Sequence, residues 1–146
     1  MVRNILAVIV GILVGSLVNG ALINLGHSVV PLPVGTNVDT MEGLRVAMQS
    51  FGPEQFIFPF LAHSIGTFVG ALLATIIAAT HKMKIAIAIG VVFLIGGIGA
   101  GIYLHAPLWY DAIDFIFAYI PVAWIGAKLG ELVGGKVLKR RAGHAP

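Results

Sequence analysis

Three gaps in the charge pattern constrain this chain more than any other feature. No Asp, Glu, Lys or Arg falls between Arg3 and Asp39, between Glu54 and Lys82, or between Lys84 and Asp111. Each gap exceeds the roughly 20 apolar residues that cross a bilayer. A soluble core has no need of three such stretches. Charged residues make up only 10% of the chain and hydrophobic ones 58%, where a soluble domain carries about a quarter charged. The expected fold is an all-α integral membrane protein, a single membrane domain over residues 1–146 built as a bundle of four transmembrane helices.

The spans read as residues 4–26, 55–80, 83–104 and 112–134. At 1.5 Å per residue each is about 30 Å long or more. Backbone groups in lipid must be satisfied internally, so spans of this kind are helical. The opening "MVRNILAVIVGILVGS" has the basic start and apolar run of a signal peptide, and is expected to be a retained span. Arg3, Lys82, Lys84 and the basic tail 135–146, with "KVLKRR", lie on one side of these spans. The other side has Arg45 among Asp39, Glu42, Glu54 and Asp111. The excess of Lys and Arg places both termini and the "HKMK" turn in the cytoplasm. The expected location is a bacterial cytoplasmic (inner) membrane, multi-pass, N-in and C-in. Phe51, Phe56, Tyr103, Trp109, Tyr110 and Phe115 gather at the outer boundary and read as an interfacial aromatic belt.

The outer loop 27–54 contains a short amphipathic helix. Asp39 is the expected cap, with Glu42 as its reciprocal partner. Met41, Leu44, Met48 and Phe51 form one apolar stripe, and Gly52-Pro53 ends it. That stripe is the candidate lid, either lying in the membrane surface or roofing the bundle.

Glycines recur every four residues, at Gly11 and Gly15, Gly66 and Gly70, Gly97 and Gly101, and Gly126, Gly130 and Gly134. Such strips let helix backbones approach closely, within one chain or between two copies. A homo-oligomer or a membrane-protein partner joined through these strips is expected beside the lipid bilayer itself. No nucleic-acid partner is expected, because basic residues just past a span ordinarily mark a membrane face. "FIFPFLAHSIGTFVGALL" and "FIFAYIPVAWIGAKLGELV" share FIF, a proline and IG-x-x-x-G. The second and fourth spans thus allow a duplicated helical hairpin.

Polar residues within the spans favour the outer half. Pro59, His63, Gly66, Thr67 and Gly70 share one helical face, which turns His63 into the bundle about 10 Å below the outer boundary. Ser16, Gly20, Asn24 and His27 share a face of the first span, with Asn19 beside it. His63, Asp114, Asn24, Asn19, His105 and Thr67 are the pocket candidates. Ionisable groups at membrane depth are costly and default to a functional reading, although interhelical polar bonds are also ordinary packing. Spacing argues against a metal site, because no helix carries two His at i, i+3 or i, i+4 and only His63, His105 and Asp114 could converge. A haem would need a second axial ligand at the depth of His63. No phosphate loop or dinucleotide fingerprint is present, and with no Cys in the chain there is no thiolate chemistry. No cofactor is expected and no catalytic residue is assigned. The expected function is binding, as an accessory subunit or as a receiver of a small or lipidic ligand in an outward-facing polar pocket. The alternatives are an oligomeric transporter or channel, and a membrane enzyme using His63 and Asp114.

Overall fold

The computed structural model describes residues 1–142, with side chains described through Gly135; the Lys and Arg side chains of the tail lie outside the described ones. All regular structure in the described residues is helical. Helix α1 spans Val2–Val29, α2 Met41–Ala47, α3 Ile57–Ile77, α4 Lys82–Leu104, α5 Leu108–Phe117 and α6 Ile120–Ala142. Four segments are long and apolar enough to cross a membrane: Val2–Val29, Pro53–Ile77, Lys82–Leu104 and Leu108–Gly135. They run alternately up and down. Arg3 and Asn4 meet the end of α3, and a Cβ at Gly134 would stand 3.5 Å from Lys82 Nζ, so these groups share one end. The loop carrying α2 and the α4–α5 connection lie at the other, lidded end.

At the basic end, Arg3 Nε donates to the Ile77 carbonyl at 2.6 Å and Nη2 to the Ala78 carbonyl at 3.4 Å. Asn4 Oδ1 accepts from Ala79 N at 2.9 Å, and Asn4 Nδ2 donates to Thr80 Oγ1 at 3.0 Å. The last carbonyls of a helix have no intrahelical donor, and a cation there also opposes the negative end of the helix dipole. The first turn of α1 therefore caps the last turn of α3.

Helix α3 is the centre of the bundle and packs against α1, α4 and α6. Its contact with α1 is set by four glycines. A Cβ at Gly11, Gly15, Gly66 or Gly70 would stand 2.8, 2.7, 2.8 or 2.6 Å from the carbonyl of Gly70, Gly66, Gly15 or Gly11 respectively. The two backbones touch, and only glycine permits it. Gly126 approaches the Phe68 carbonyl and Gly130 the Thr75 side chain in the same way. The matching strips of the two similar spans therefore meet different partners: Gly66 and Gly70 face α1, while Gly126 and Gly130 face α3.

Size is sorted in an unusual direction. Ala7, Ala62, Ala71, Ala74, Ala86 and Ala123 are fully buried, while Ile5, Leu13, Leu17, Ile95, Ile102 and Leu132 are more than half exposed. Small residues pack the helices together, and large apolar side chains point outward.

Several local expectations are corrected. The Ser16, Gly20 and Asn24 line of α1 does not turn inward, while His27 at its outer end borders the cavity described below. Ser16, Asn24 and His27 are exposed, and nothing lies within 4 Å of a Cβ at Gly20. The glycine contact fixes the rotation of α1, and the polar line lies about 100° away. The helical segment that carries the fourth expected span starts at Leu108, ahead of Ala112, and breaks at Ala118–Tyr119. Pro121 explains the break: it has no N–H to give the Phe117 carbonyl, and its ring crowds that carbonyl. Asp39 does not cap α2. Thr40 is the N-cap, its Oγ1 accepting from Gly43 N at 3.0 Å, while Asp39 N donates to Asn37 Oδ1 at 2.9 Å in a local turn. Glu42 turns instead to Arg45, accepting from Nε at 2.9 Å and Nη2 at 2.6 Å. That hydrogen bond holds the Glu42 carboxyl below its ordinary range. Phe56 and Tyr110 are 2% and 6% exposed, which makes them core rather than belt. Phe56 contacts Phe51, Trp109 and Tyr110 at centroid distances of 6.1, 5.5 and 4.7 Å, so these rings close the lidded end on themselves.

Candidate functional site

Pro59 falls in the first turn of α3, where a missing N–H costs no helical bond. One turn further, His63 projects toward α5. Its Nδ1 lies 2.9 Å from Asp114 Oδ1 and 2.8 Å from Oδ2. Asp114 is 1% exposed and the His63 side chain 19%. Tyr119 donates its hydroxyl to Asp114 Oδ2 at 2.8 Å, and its ring stacks on the imidazole at 5.6 Å and 30°. The break between α5 and α6 makes this possible, because it brings a residue five positions on back over the carboxylate. Gly97 of α4 completes the fit: the Tyr119 ring occupies the space a side chain at Gly97 would need.

A buried charge requires partners. Two donors converge on Asp114, which suits an ionised, acceptor-only carboxylate. With its proton on Nδ1, the neutral His63 ring keeps a lone pair on Nε2. Among the described residues Nε2 has no hydrogen-bond partner.

His63 and Asp114 form part of the wall of a cavity of about 250 Å³. The roof is the loop after α1: Met41, Leu44, Met48 and Phe51 all line it, so the stripe of α2 roofs the bundle. Gln55 ties that loop down, accepting from Gly52 N at 2.8 Å and donating to the Pro31 carbonyl at 3.0 Å. Gln49 adds a bond of 3.4 Å to the His105 carbonyl. The walls are largely apolar, from Ile23 and Val30 to Phe58, Ala100 and Leu104.

Of the six pocket candidates, His63 and Asp114 meet at the cavity and four do not. Asn24 is exposed and donates to the Gly20 carbonyl of its own helix at 2.8 Å. The Cβ of Asn19 lies against Gly66 in the α1–α3 contact. His105 is exposed and ends α4 in a left-handed conformation, φ 54°, with its N–H and that of Ala106 given to the Gly101 carbonyl. Thr67 is 1% exposed and does not reach the cavity, and its Oγ1 has no partner among the described residues. With His105 at the helix end, no group of three His, Asp or Glu side chains converges as a metal site among the described residues.

Sequence reasoning did not count Tyr119, Tyr110 or Asp111 among the pocket residues, reading Tyr110 as belt and Asp111 as an outer charge. Tyr110 and Asp111 line the cavity, and the Tyr110 hydroxyl and Asp111 Oδ1 are buried without a hydrogen-bond partner among the described residues. The available signal was a phenol two residues before Pro121, where a helix must break. No protein-family model matches the chain, and no curated protein or solved structure shows significant similarity to it.

Proposed function

We infer that the protein is a multi-pass membrane protein that binds a small ligand in the cavity under α2. The cavity opens to the outer side of a bacterial cytoplasmic membrane, and both termini lie inside. Support for insertion comes from the sorting of size. Burying a Leu or Ile side chain is worth about 1.5–3 kcal/mol in water, and this chain leaves many such residues outward while burying alanine. An apolar surrounding makes that arrangement favourable. Support for orientation comes from Arg3, Lys82 and Lys84 at one end against Arg45 alone at the lidded end among the described side chains.

The observation that carries the binding reading is the cavity itself. A roof held by side-chain bonds covers an apolar chamber with an imidazole edge and two carboxyls in its wall. Apolar walls with a few convergent polar groups are the ordinary form of a small-molecule site. A second reading, a membrane enzyme, draws on the same pair, since a carboxylate on Nδ1 is how a general base is oriented. That reading lacks a nucleophile, as no hydroxyl is hydrogen-bonded to His63 among the described residues.

Native mass spectrometry tests the binding reading on protein released from nanodiscs made directly from the expressing membrane. The parent is expected to carry a small-molecule adduct that Ala100→Trp, with its indole filling the cavity, lacks. A parent without an adduct, or an adduct that persists in Ala100→Trp, overturns the reading.

A further inference from the structure

Resting on the reading of the cavity as a binding site, we propose that its guest is a small organic cation, an ammonium on a short apolar body. Among the described residues the ionisable side chains of the lining are His27, His63, Tyr110, Asp111 and Asp114, with no Lys or Arg. Two carboxyls set in apolar walls, with no Lys or Arg facing them among the described residues, favour a cationic guest over an anionic one. A carboxylate or phosphate head would be repelled there.

Hydrogen-bond capacity points the same way. His63 turns Nδ1 to Asp114, and in the neutral ring with its proton on that nitrogen Nε2 is an acceptor. Asp111 is a further acceptor, its Oδ1 buried without a partner among the described residues. The Tyr110 hydroxyl, on a residue 6% exposed, is likewise unpartnered, and a hydroxyl can accept as well as donate. The wall therefore presents mainly acceptors, and an ammonium is all donors. Phe51, Phe56 and Tyr110 also border the cavity, and aromatic surroundings favour a cation over an anion. Size limits the body: about 250 Å³ is below the roughly 300–1,000 Å³ of drug-sized sites, so the guest has one ring or a short chain, not two acyl tails.

Isothermal titration of the protein in phosphatidylcholine nanodiscs, with empty nanodiscs as blank, tests this using three near-isosteric probes. 2-Phenylethylammonium is expected to bind at least ten-fold more tightly than 2-phenylethanol, and phenylacetate more weakly still. Asp111→Asn should lower ammonium affinity at least ten-fold and leave the alcohol unchanged. Should Asp111→Asn not fold, Tyr110→Phe reads the same site, with a several-fold loss for the ammonium alone. If the alcohol or the carboxylate binds as tightly as the ammonium and Ala100→Trp abolishes that binding, the cation inference is overturned while the binding cavity stands. If the ammonium does not bind, or binds undiminished in both Asp111→Asn and Ala100→Trp, the cation inference is also overturned. The mass-spectrometric adduct then decides the cavity reading on its own.

Discussion

His63 and Asp114 are 51 residues apart in sequence, and the imidazole Nδ1 lies 2.8–2.9 Å from both carboxylate oxygens. This pair ties α3 to α5 at the wall of the cavity, and with Tyr119 it forms one polar unit in apolar surroundings. The unit stands or falls together. His63→Phe leaves a buried carboxylate short of one donor, which costs about 1–3 kcal/mol. Asp114→Leu leaves Nδ1 and the Tyr119 hydroxyl unpaired and costs a similar amount or more. The double variant should be less destabilised than the sum of the two by about 0.5–3 kcal/mol. Reversible unfolding in mixed micelles measures this, and strict additivity would show that the two groups do not interact.

The glycine contacts divide into two classes. Gly70→Leu must push on the Gly11 carbonyl, 2.6 Å from its Cβ position, and should cost about 1–3 kcal/mol. A Cβ at Gly96 meets nothing within 4 Å, so Gly96→Ala should be neutral or gain up to about 1 kcal/mol from helix propensity. Thermal unfolding of the two variants checks the pair. A stable Gly70→Leu would contradict the α1–α3 contact. A strongly destabilised Gly96→Ala would show that the open face of α4 is covered by a second subunit.

The roof depends on its cap. Thr40→Ala removes the hydroxyl that accepts from Gly43 N and should cost the seven-residue α2 about 1 kcal/mol. Amide hydrogen exchange should speed up across Met41–Ala47 and stay unchanged in α3. Equal protection in parent and variant would show that packing alone holds α2.

Orientation is testable because the chain has no cysteine. A Cys at Asn37 in intact cells should react with an impermeant maleimide, and one at Ala79 should react only after lysis. The reverse pattern would invert the membrane orientation proposed above.

The long helices were legible in the sequence because their signal is composition itself, and charge gaps survive any detail of packing. The inward turn of His63 was legible too, since Gly66 and Gly70 share its face. The rotation of α1 was not: two faces competed, and backbone contact at Gly11 and Gly15 decided against Asn24. Asp114 was visible as a candidate, but its partnership with His63 depends on the kink that Pro121 imposes, and that kink also brings in Tyr119. Adjacent Asp39 and Thr40 are both good caps, and the local Asn37 turn takes the Asp39 N–H. Such choices rest on geometry among residues far apart in sequence, which a one-dimensional pattern does not carry.

The central claim is that the space between α2 and the His63–Asp114 pair is a binding site. An experimental density map of the protein purified in its native lipid tests it most directly. The account predicts non-protein density in the cavity, with an atom about 2.6–3.2 Å from His63 Nε2 and α2 standing clear above it. A map with Met48 and Phe51 collapsed onto Gly97 and Gly101, or with the His63 ring turned away from Asp114 toward lipid, would contradict it.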